Sequence, residues 1–292
     1  MKKLFKIAVN FMAIAIMAVA TFSLAACEDI KKLELSLNLY NSTDSAFYAE
    51  SDVKFSVELY RHLAPKTVDK VLERIKDGYY DNAIFYIDES KSSQIMIGDL
   101  KLENGEVKLN RLSDGSLAPE IYGEFEYNGT KGSDLVNNKG SIGLWRSYYA
   151  SDTQTYKTSS NARNSGRATW YIPTSEISGY NGYFCVFAQY DTENTANSKA
   201  IEALTAIFGD SDCYTEYVIY YTGEYDAAKP DENDGYGLTF HAVKAADFDE
   251  DTEVFEAEGQ QLVCFNKKTV KIPVSDKASG EVLAKINKIT VK

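Results

Sequence analysis

The sequence predicts a mainly β protein with two helices, the pattern of a closed barrel rather than a βαβ sheet. Three observations carry this. Residues 33–40 (Leu-Glu-Leu-Ser-Leu-Asn-Leu-Tyr) and 53–60 (Val-Lys-Phe-Ser-Val-Glu-Leu-Tyr) alternate strictly between apolar and polar, the mark of half-buried strands. Only two segments, residues 64–77 and 198–208, switch to helical spacing, too few for a repeating βαβ sheet. Twenty-one tyrosines against five prolines suit many aromatic-faced strands joined by few rigid turns.

The elements follow in order. After the two alternating strands, Val68, Val71, Leu72 and Ile75 share one face of the first helix. Pro65 fits its first turn, where a missing N–H costs nothing, and Gly78 closes it. Strands are expected at residues 83–87, 94–100, 140–145, 168–172 and 184–190. The second helix sets Ala200, Ile201, Leu204 and Ile207 on one side. Residues 213–221, 236–243, 254–265 and 282–291 read as further strands, and residues 147–164 and 223–235 as polar loops. No internal repeat is visible.

The N-terminus is a targeting segment. Lys2, Lys3 and Lys6 precede an uncharged run from Ile7 to Ala26, which ends on Leu24-Ala25-Ala26-Cys27. That ending is the pattern cut before a lipid-modified cysteine, so residues 1–26 read as a lipoprotein signal peptide and Cys27 as the lipidation site. A retained transmembrane anchor, for which about 20 apolar residues suffice, is the alternative. Residues 27–52 then form a short tether and an extra strand, and residues 53–292 the main domain, with its insertion at about 210–270. The expected location is extracytoplasmic, with the membrane as a partner through the lipid on Cys27.

The formal charge of −12 becomes −15 once Lys2, Lys3 and Lys6 leave. Such acidity argues against nucleic acid or an anionic membrane face as partners. Cys185 lies in an apolar strand as a core residue; Cys213 and Cys264 are either thiols or a pair. Of the two histidines, His62 reads as a surface residue and His241 as a structural one. No metal-ligand spacing, phosphate loop or nucleophile elbow occurs, so neither metal nor cofactor is expected. The acidic runs at 226–234 and 247–251 lack the residue order of a calcium loop and read as solvated faces.

One further pattern runs along the chain. Phe55-Ser-Val-Glu-Leu-Tyr-Arg-His-Leu-Ala-Pro-Lys-Thr-Val-Asp-Lys-Val-Leu, with Gly78-Tyr-Tyr-Asp and Ile84-Phe85, resembles the opening of cyclophilin-type peptidyl-prolyl isomerases. In the same order, Gly98-Asp99 and Glu124-Phe125 resemble family Gly-Asp and Glu-Phe pairs. Lys139-Gly-Ser-Ile-Gly-Leu-Trp-Arg146 is similar to Arg-Gly-Thr-Ile-Ser-Met-Ala-Arg. Ala168-Thr-Trp-Tyr-Ile172 is similar to Ser-Gln-Phe-Phe-Ile, and Asn181-Gly-Tyr-Phe-Cys-Val-Phe187 to Asp-Gly-(x)2-Val-Val-Phe-Gly. The resemblance covers about residues 53–208 and the last strand. It implies a closed antiparallel barrel of about eight strands capped by two helices, with a β-rich insertion before the last strand and a substrate groove on the barrel's outer wall. There an Arg polarises the prolyl nitrogen, a Gln fixes the carbonyl, and a Phe-Met-Leu pocket holds the ring.

The departures fall on that chemistry. Ile87 stands at the Arg position and Met96 at the Gln position, so no catalytic residue is intact. Thr169 replaces a second Gln, Tyr171 the pocket Phe, Tyr180 part of a Trp-Leu pair and Phe184 a His. The groove candidates are therefore Met96, Trp145, Arg146, Thr169, Tyr171, Tyr180 and Phe184. Arg146 or Arg167 is either a replacement cation or a solvated loop residue. Of the aromatics expected to line the groove, Trp145, Trp170, Tyr171, Tyr180 and Phe184, about half should be buried. The resemblance implies proline-containing segments of secreted polypeptides as partners, through feeble isomerisation or binding alone. The alternative is a non-catalytic surface or substrate-capture lipoprotein. Oligomeric state is left open.

Overall fold

The computed structural model describes residues 30–49, 53–130, 135–146, 164–223, 239–249, 254–257, 260–275 and 280–292. The signal segment, Cys27, the loop at 147–163 and the acidic run at 226–234 lie outside them. Among the described residues, the strands before the first helix are β1 (Ile30–Asn41), β2 (Ala46–Phe47) and β3 (Lys54–Tyr60). Between the helices lie β4 (Ala83–Asp88), β5 (Gln94–Glu103), β6 (Glu106–Leu109), β7 (Ser141–Arg146), β8 (Gly166–Pro173) and β9 (Cys185–Gln189). After them come β10 (Thr215–Gly223), β11 (Thr239–Lys244), β12 (Val254–Ala257), β13 (Gln260–Ile272) and β14 (Ala284–Val291). The helices are α1 (Pro65–Lys76) and α2 (Thr195–Gly209).

Eight strands close antiparallel in the order β4–β14–β1–β3–β9–β7–β8–β5 and back to β4. This is the closed, helix-capped barrel that the alternation and the resemblance imply. β1 is no extra strand ahead of it: β1 pairs with both β3 and β14 and is one of the eight. Its inward residues Leu33, Leu35, Leu37 and Leu39 are buried with Phe55, Phe85, Trp170 and Phe187 in one interior cluster. Both helices add their apolar sides to it, through Val68 and Val71 of α1 and Ala200, Leu204 and Ile207 of α2.

The helix starts are capped in different ways. Asn194 Oδ1 accepts from the backbone N–H groups of Ala196 and Asn197 at 3.0 and 3.1 Å. In α1, Ala64 offers no side-chain acceptor, and the carboxylate of the distant Glu124 accepts from Lys66 N at 3.0 Å and Thr67 N at 2.7 Å. Those donors have no intrahelical acceptor, so a buried anion there satisfies them and complements the helix dipole. Gly78, at φ +70°, ends α1 in the left-handed region that glycine adopts freely.

The insertion is a second sheet in the order β11–β10–β13, with β12 on β13. It joins the barrel through Val270↔Asp88 and Lys271↔Ile87. Tyr217 and Ile219 of β10 and Val270 and Ile272 of β13 share a second apolar cluster with Ile84, Tyr86, Met96, Leu100 and Val107 from the barrel's outer wall. The insertion therefore covers the outside of β4, β5 and β6.

Two details differ from the sequence expectation, and one it left open is decided. Residues 254–265 are not one strand: Ala257↔Gln260 pairs β12 with β13 across two intervening residues. β6 was not expected, although Asn104 and Gly105, both at positive φ, form the turn that most strongly favours a hairpin. Cys213 and Cys264 do not pair. Cys264 stands opposite Thr222, whereas Cys213 lies just before Thr215, at the far end of the same ladder. Seven strand steps span roughly 23 Å, well beyond the roughly 7 Å that a disulfide permits between Cα atoms. The Cys213 thiol instead donates to Asp210 Oδ2 at 3.3 Å.

Candidate functional site

The outer wall of the barrel carries a transverse row of side chains fixed by strand register. Tyr86 pairs with Met96, Met96 with Tyr171, and Tyr171 with Gly143. Alternation points Tyr86, Met96 and Tyr171 outward, while Phe85, Ile95, Ile97, Trp170 and Ile172 join the interior cluster. The register thus gathers Met96, Thr169, Tyr171, Trp145, Tyr180 and Phe184 on one face. Arg146 lies beneath it.

Ile87 is not on that face. It packs against the interior cluster, in phase with Phe85. The outward residue of β4 beside Met96 is Tyr86, which the sequence analysis passed over; the phase of Phe85 was the available signal. The Tyr86 hydroxyl donates to Asp99 Oδ2 at 3.2 Å, and burial together with the Asp99 charge raises its pKa well above the usual phenol value. The ammonium of Lys268, on β13, lies 5.6 Å from the Tyr86 ring centroid and 3.9 Å from the Asp88 carboxylate.

The groove is filled by its own aromatics. Tyr171 is fully buried, and Met96, Thr169 and Phe184 are buried beside it. Phe184 stacks on Tyr180 with centroids 4.2 Å apart and on Trp145 at 5.4 Å. The Tyr171 ring meets Phe184 and Tyr180 edge-on at 5.8 and 5.7 Å. Such contacts favour the edge-to-face and offset geometries seen here. Of the expected aromatics, Trp145 and Tyr180 are half-buried, while Tyr171 and Phe184 are buried and Trp170 lies in the barrel interior; Tyr183 beside them is also half-buried. Tyr183 packs on the exposed Tyr127 at 5.0 Å.

Polar groups lock the floor. The Tyr171 hydroxyl donates to Asn137 Oδ1. Asn137 in turn donates from its backbone N–H and its Nδ2 to Asn181 Oδ1, at 2.8 and 3.0 Å. Burial raises the Tyr171 pKa well above normal, so the phenol stays neutral. The buried Gln94 amide reaches Met96 Sδ at 3.5 Å, and its Oε1 has no hydrogen-bond partner among the described residues.

Neither arginine is a solvated loop residue. Arg146, on β7, is buried, with its guanidinium 4.7 Å from the Phe184 ring centroid and 5.0 Å from that of Phe125. Its Nε donates to Tyr183 O at 3.0 Å. Arg167 is anchored to Ala118 O and Glu120 Oε1, each at 3.0 Å. Cys185 is buried beneath the site against Thr67, and desolvation pushes its thiol up to about 12. It is a core thiol rather than a nucleophile. His241 is structural: its Nε2 sits 2.7 Å from Thr222 Oγ1 and its ring stacks on Tyr220.

No family model and no curated protein matches the sequence. Among solved structures, the chain is similar to a cyclophilin-type peptidyl-prolyl cis-trans isomerase of Cryptosporidium parvum solved in the presence of the dipeptide Ala-Pro. That match is 18% identical over 57% of this chain and 84% of the other, with a TM-score of 0.36. A second structure of that isomerase is 14% identical over 82% of this chain and 97% of the other, with a TM-score of 0.39.

Proposed function

We propose that this chain is a membrane-tethered, cyclophilin-like protein that works outside the cytoplasm. It binds proline-containing segments of secreted polypeptides and turns them over feebly or not at all. The observation that carries this reading is the filled outer wall of a closed eight-stranded barrel. The ordered motifs from Phe55 to Phe187 fall on the strands and turns that the resemblance assigns, while the groove that should admit a proline ring is occupied by Tyr171, Phe184 and Tyr180.

Rotation about an X–Pro bond is slow because amide resonance gives the C–N bond partial double-bond character. A cation donating to the prolyl nitrogen would draw its lone pair out of that resonance. On the outward side of β4 beside Met96 stands the neutral Tyr86 hydroxyl, already donated to Asp99, and the nearby Lys268 ammonium is shared with the Asp88 carboxylate. A charged hydrogen bond is worth about 1.5–3 kcal/mol, and each 1.36 kcal/mol changes a rate about tenfold. Loss of the cation alone lowers turnover by roughly ten- to hundredfold, and the closed pocket lowers it further. The half-buried Trp145, Tyr180 and Tyr183 still present a face on which an extended peptide can pack.

The experiment is a proline-limited refolding assay paired with titration of prolyl peptides. Measurable binding with little acceleration supports the proposal; a rate constant near that of an ordinary cyclophilin overturns it. The filled groove also fits a second reading, a surface or substrate-capture lipoprotein that only borrows the barrel. That protein would bind no prolyl peptide. The lipid anchor rests on Leu24-Ala25-Ala26-Cys27, and the mass of the N-terminal peptide tests it.

A further inference from the structure

The net charge of −12 is unevenly spread. Register brings the outward residues of three neighbouring strands together: Lys285 opposite Asn38, Lys288 opposite Ser36, Ser36 opposite Lys54, and Glu58 opposite Lys32. Lys292 closes the edge, its backbone N–H donating to Lys32 O at 2.8 Å. The outer face of β14–β1–β3 thus carries Lys32, Lys54, Lys285, Lys288 and Lys292 against Glu34 and Glu58, five positive charges to two negative. The glutamates are shared: Glu58 with Lys32 at 2.9 Å, Glu34 with Lys54 at 3.5 Å and Lys292 at 3.4 Å. Among the described residues, no carboxylate lies within ion-pair distance of Lys285 or Lys288.

Two facts identify what this face meets. The first is covalent: Cys27 precedes Ile30, the start of β1, by three residues, so β1 begins within about 10 Å of chain from the proposed lipid. The second is topological. In the ring of eight strands, β1 is diametrically opposite β8, which carries Thr169 and Tyr171.

We infer that the lysine face of β14–β1–β3 lies against the anionic headgroups of the bilayer and turns the Trp145–Tyr171 face away from the membrane. This rests on the lipidation proposed above. The general acidity does not oppose it, because charges more than about 10 Å from the surface are largely screened at 0.1 M salt. Each lysine near an anionic leaflet strengthens attachment about fivefold. Tether and lysines together set a side-on orientation in which the aromatic site faces polypeptides arriving from the aqueous side.

The test is a lysine-acetylation footprint of the protein taken from the membrane and reconstituted into phosphatidylcholine vesicles with or without phosphatidylglycerol. Lys285, Lys288 and Lys292 should react several-fold more slowly than Lys66, Lys76 and Lys108 on the anionic vesicles only. The protection should vanish in 1 M salt and in a Lys285→Glu/Lys288→Glu variant. Equal rates on anionic vesicles overturn the inference, as does protection by a soluble polyanion alone. The mass of the Cys27 peptide separates the two claims. Lipid without protection overturns the face and leaves the anchor; protection in a chain that lacks lipid but sediments with anionic vesicles supports the face and overturns the anchor.

Discussion

The Tyr171 ring lies directly over the backbone of Gly143, its cross-strand partner: a Cβ built on Gly143 would overlap Tyr171 Cζ. The two residues are one packing solution. The resemblance sets a serine at the first position and a phenylalanine at the second. Here the side chain is lost from one strand and the enlarged ring of the next occupies its space. That exchange lets Tyr171 reach Asn137, and it closes the floor of the groove.

Gly143→Ala should therefore destabilise the barrel by about 1–3 kcal/mol, the usual cost of overpacking a buried site. Urea unfolding measures it. Gly143→Ala combined with Tyr171→Leu should lose less than the sum of the two single changes, because the smaller side chain vacates the contested space. Strict additivity would show that the ring and the glycine are not coupled.

Tyr86 and Tyr171 also set a pH limit. Burial raises both phenols above their unfolded value of about 10, so the folded state keeps a proton that the unfolded state releases. Their contribution is fully present below about pH 10 and is lost as pH rises from there toward the folded pKa values. The urea midpoint should begin to fall above about pH 8.5, where the unfolded Cys185 thiol ionises, and fall more steeply above 10, the added slope being smaller in Tyr171→Phe. Phenolate absorbance of these two residues should appear only on unfolding; titration near pH 10 in the folded protein would contradict their burial.

Ile87→Arg tests which way β4 faces. Restoring an arginine at the position where the resemblance expects one looks like repair, but the side chain packs against the interior cluster. The variant should not accelerate prolyl isomerisation. It should lose roughly 2 kcal/mol or more by crowding a charge against apolar neighbours. A gain in rate with stability unchanged would place position 87 in the groove after all.

Much of this fold was legible because one face of nearly every strand is buried. Where burial is one-sided, alternation marks the strand and sets its phase, as in β1 and β3. The misses share a cause, which is that partners are not written locally. Residues 94–100 look like an ordinary buried strand whether their outer face meets solvent or a second sheet, so the packing of the insertion on that wall could not be read. Arg146 looks like a solvated cation until Phe125 and Phe184, from elsewhere in the chain, close on it. β6 was readable from Asn104-Gly105 and was overlooked.

Glu124 illustrates the same point and supplies the last prediction. By sequence it is only half of a Glu-Phe pair, yet its carboxylate is the acceptor for the first N–H groups of α1, 57 and 58 residues earlier in the chain. Ala64 has no side-chain acceptor to do this, and Thr67, whose N–H is one of the donors, is buried with its side chain against Cys185 Sγ. Glu124→Ala leaves them without an acceptor, and a lost cap costs about 1–2 kcal/mol, more where the donors are shielded from water. Glu124→Gln keeps one acceptor oxygen but gives up the charge that complements the helix dipole, so it should fall between wild type and alanine. Unfolding free energies ordered wild type, glutamine, alanine would establish a charged cap. Equal losses in the two variants would assign the whole effect to the negative charge and none to the acceptor oxygen.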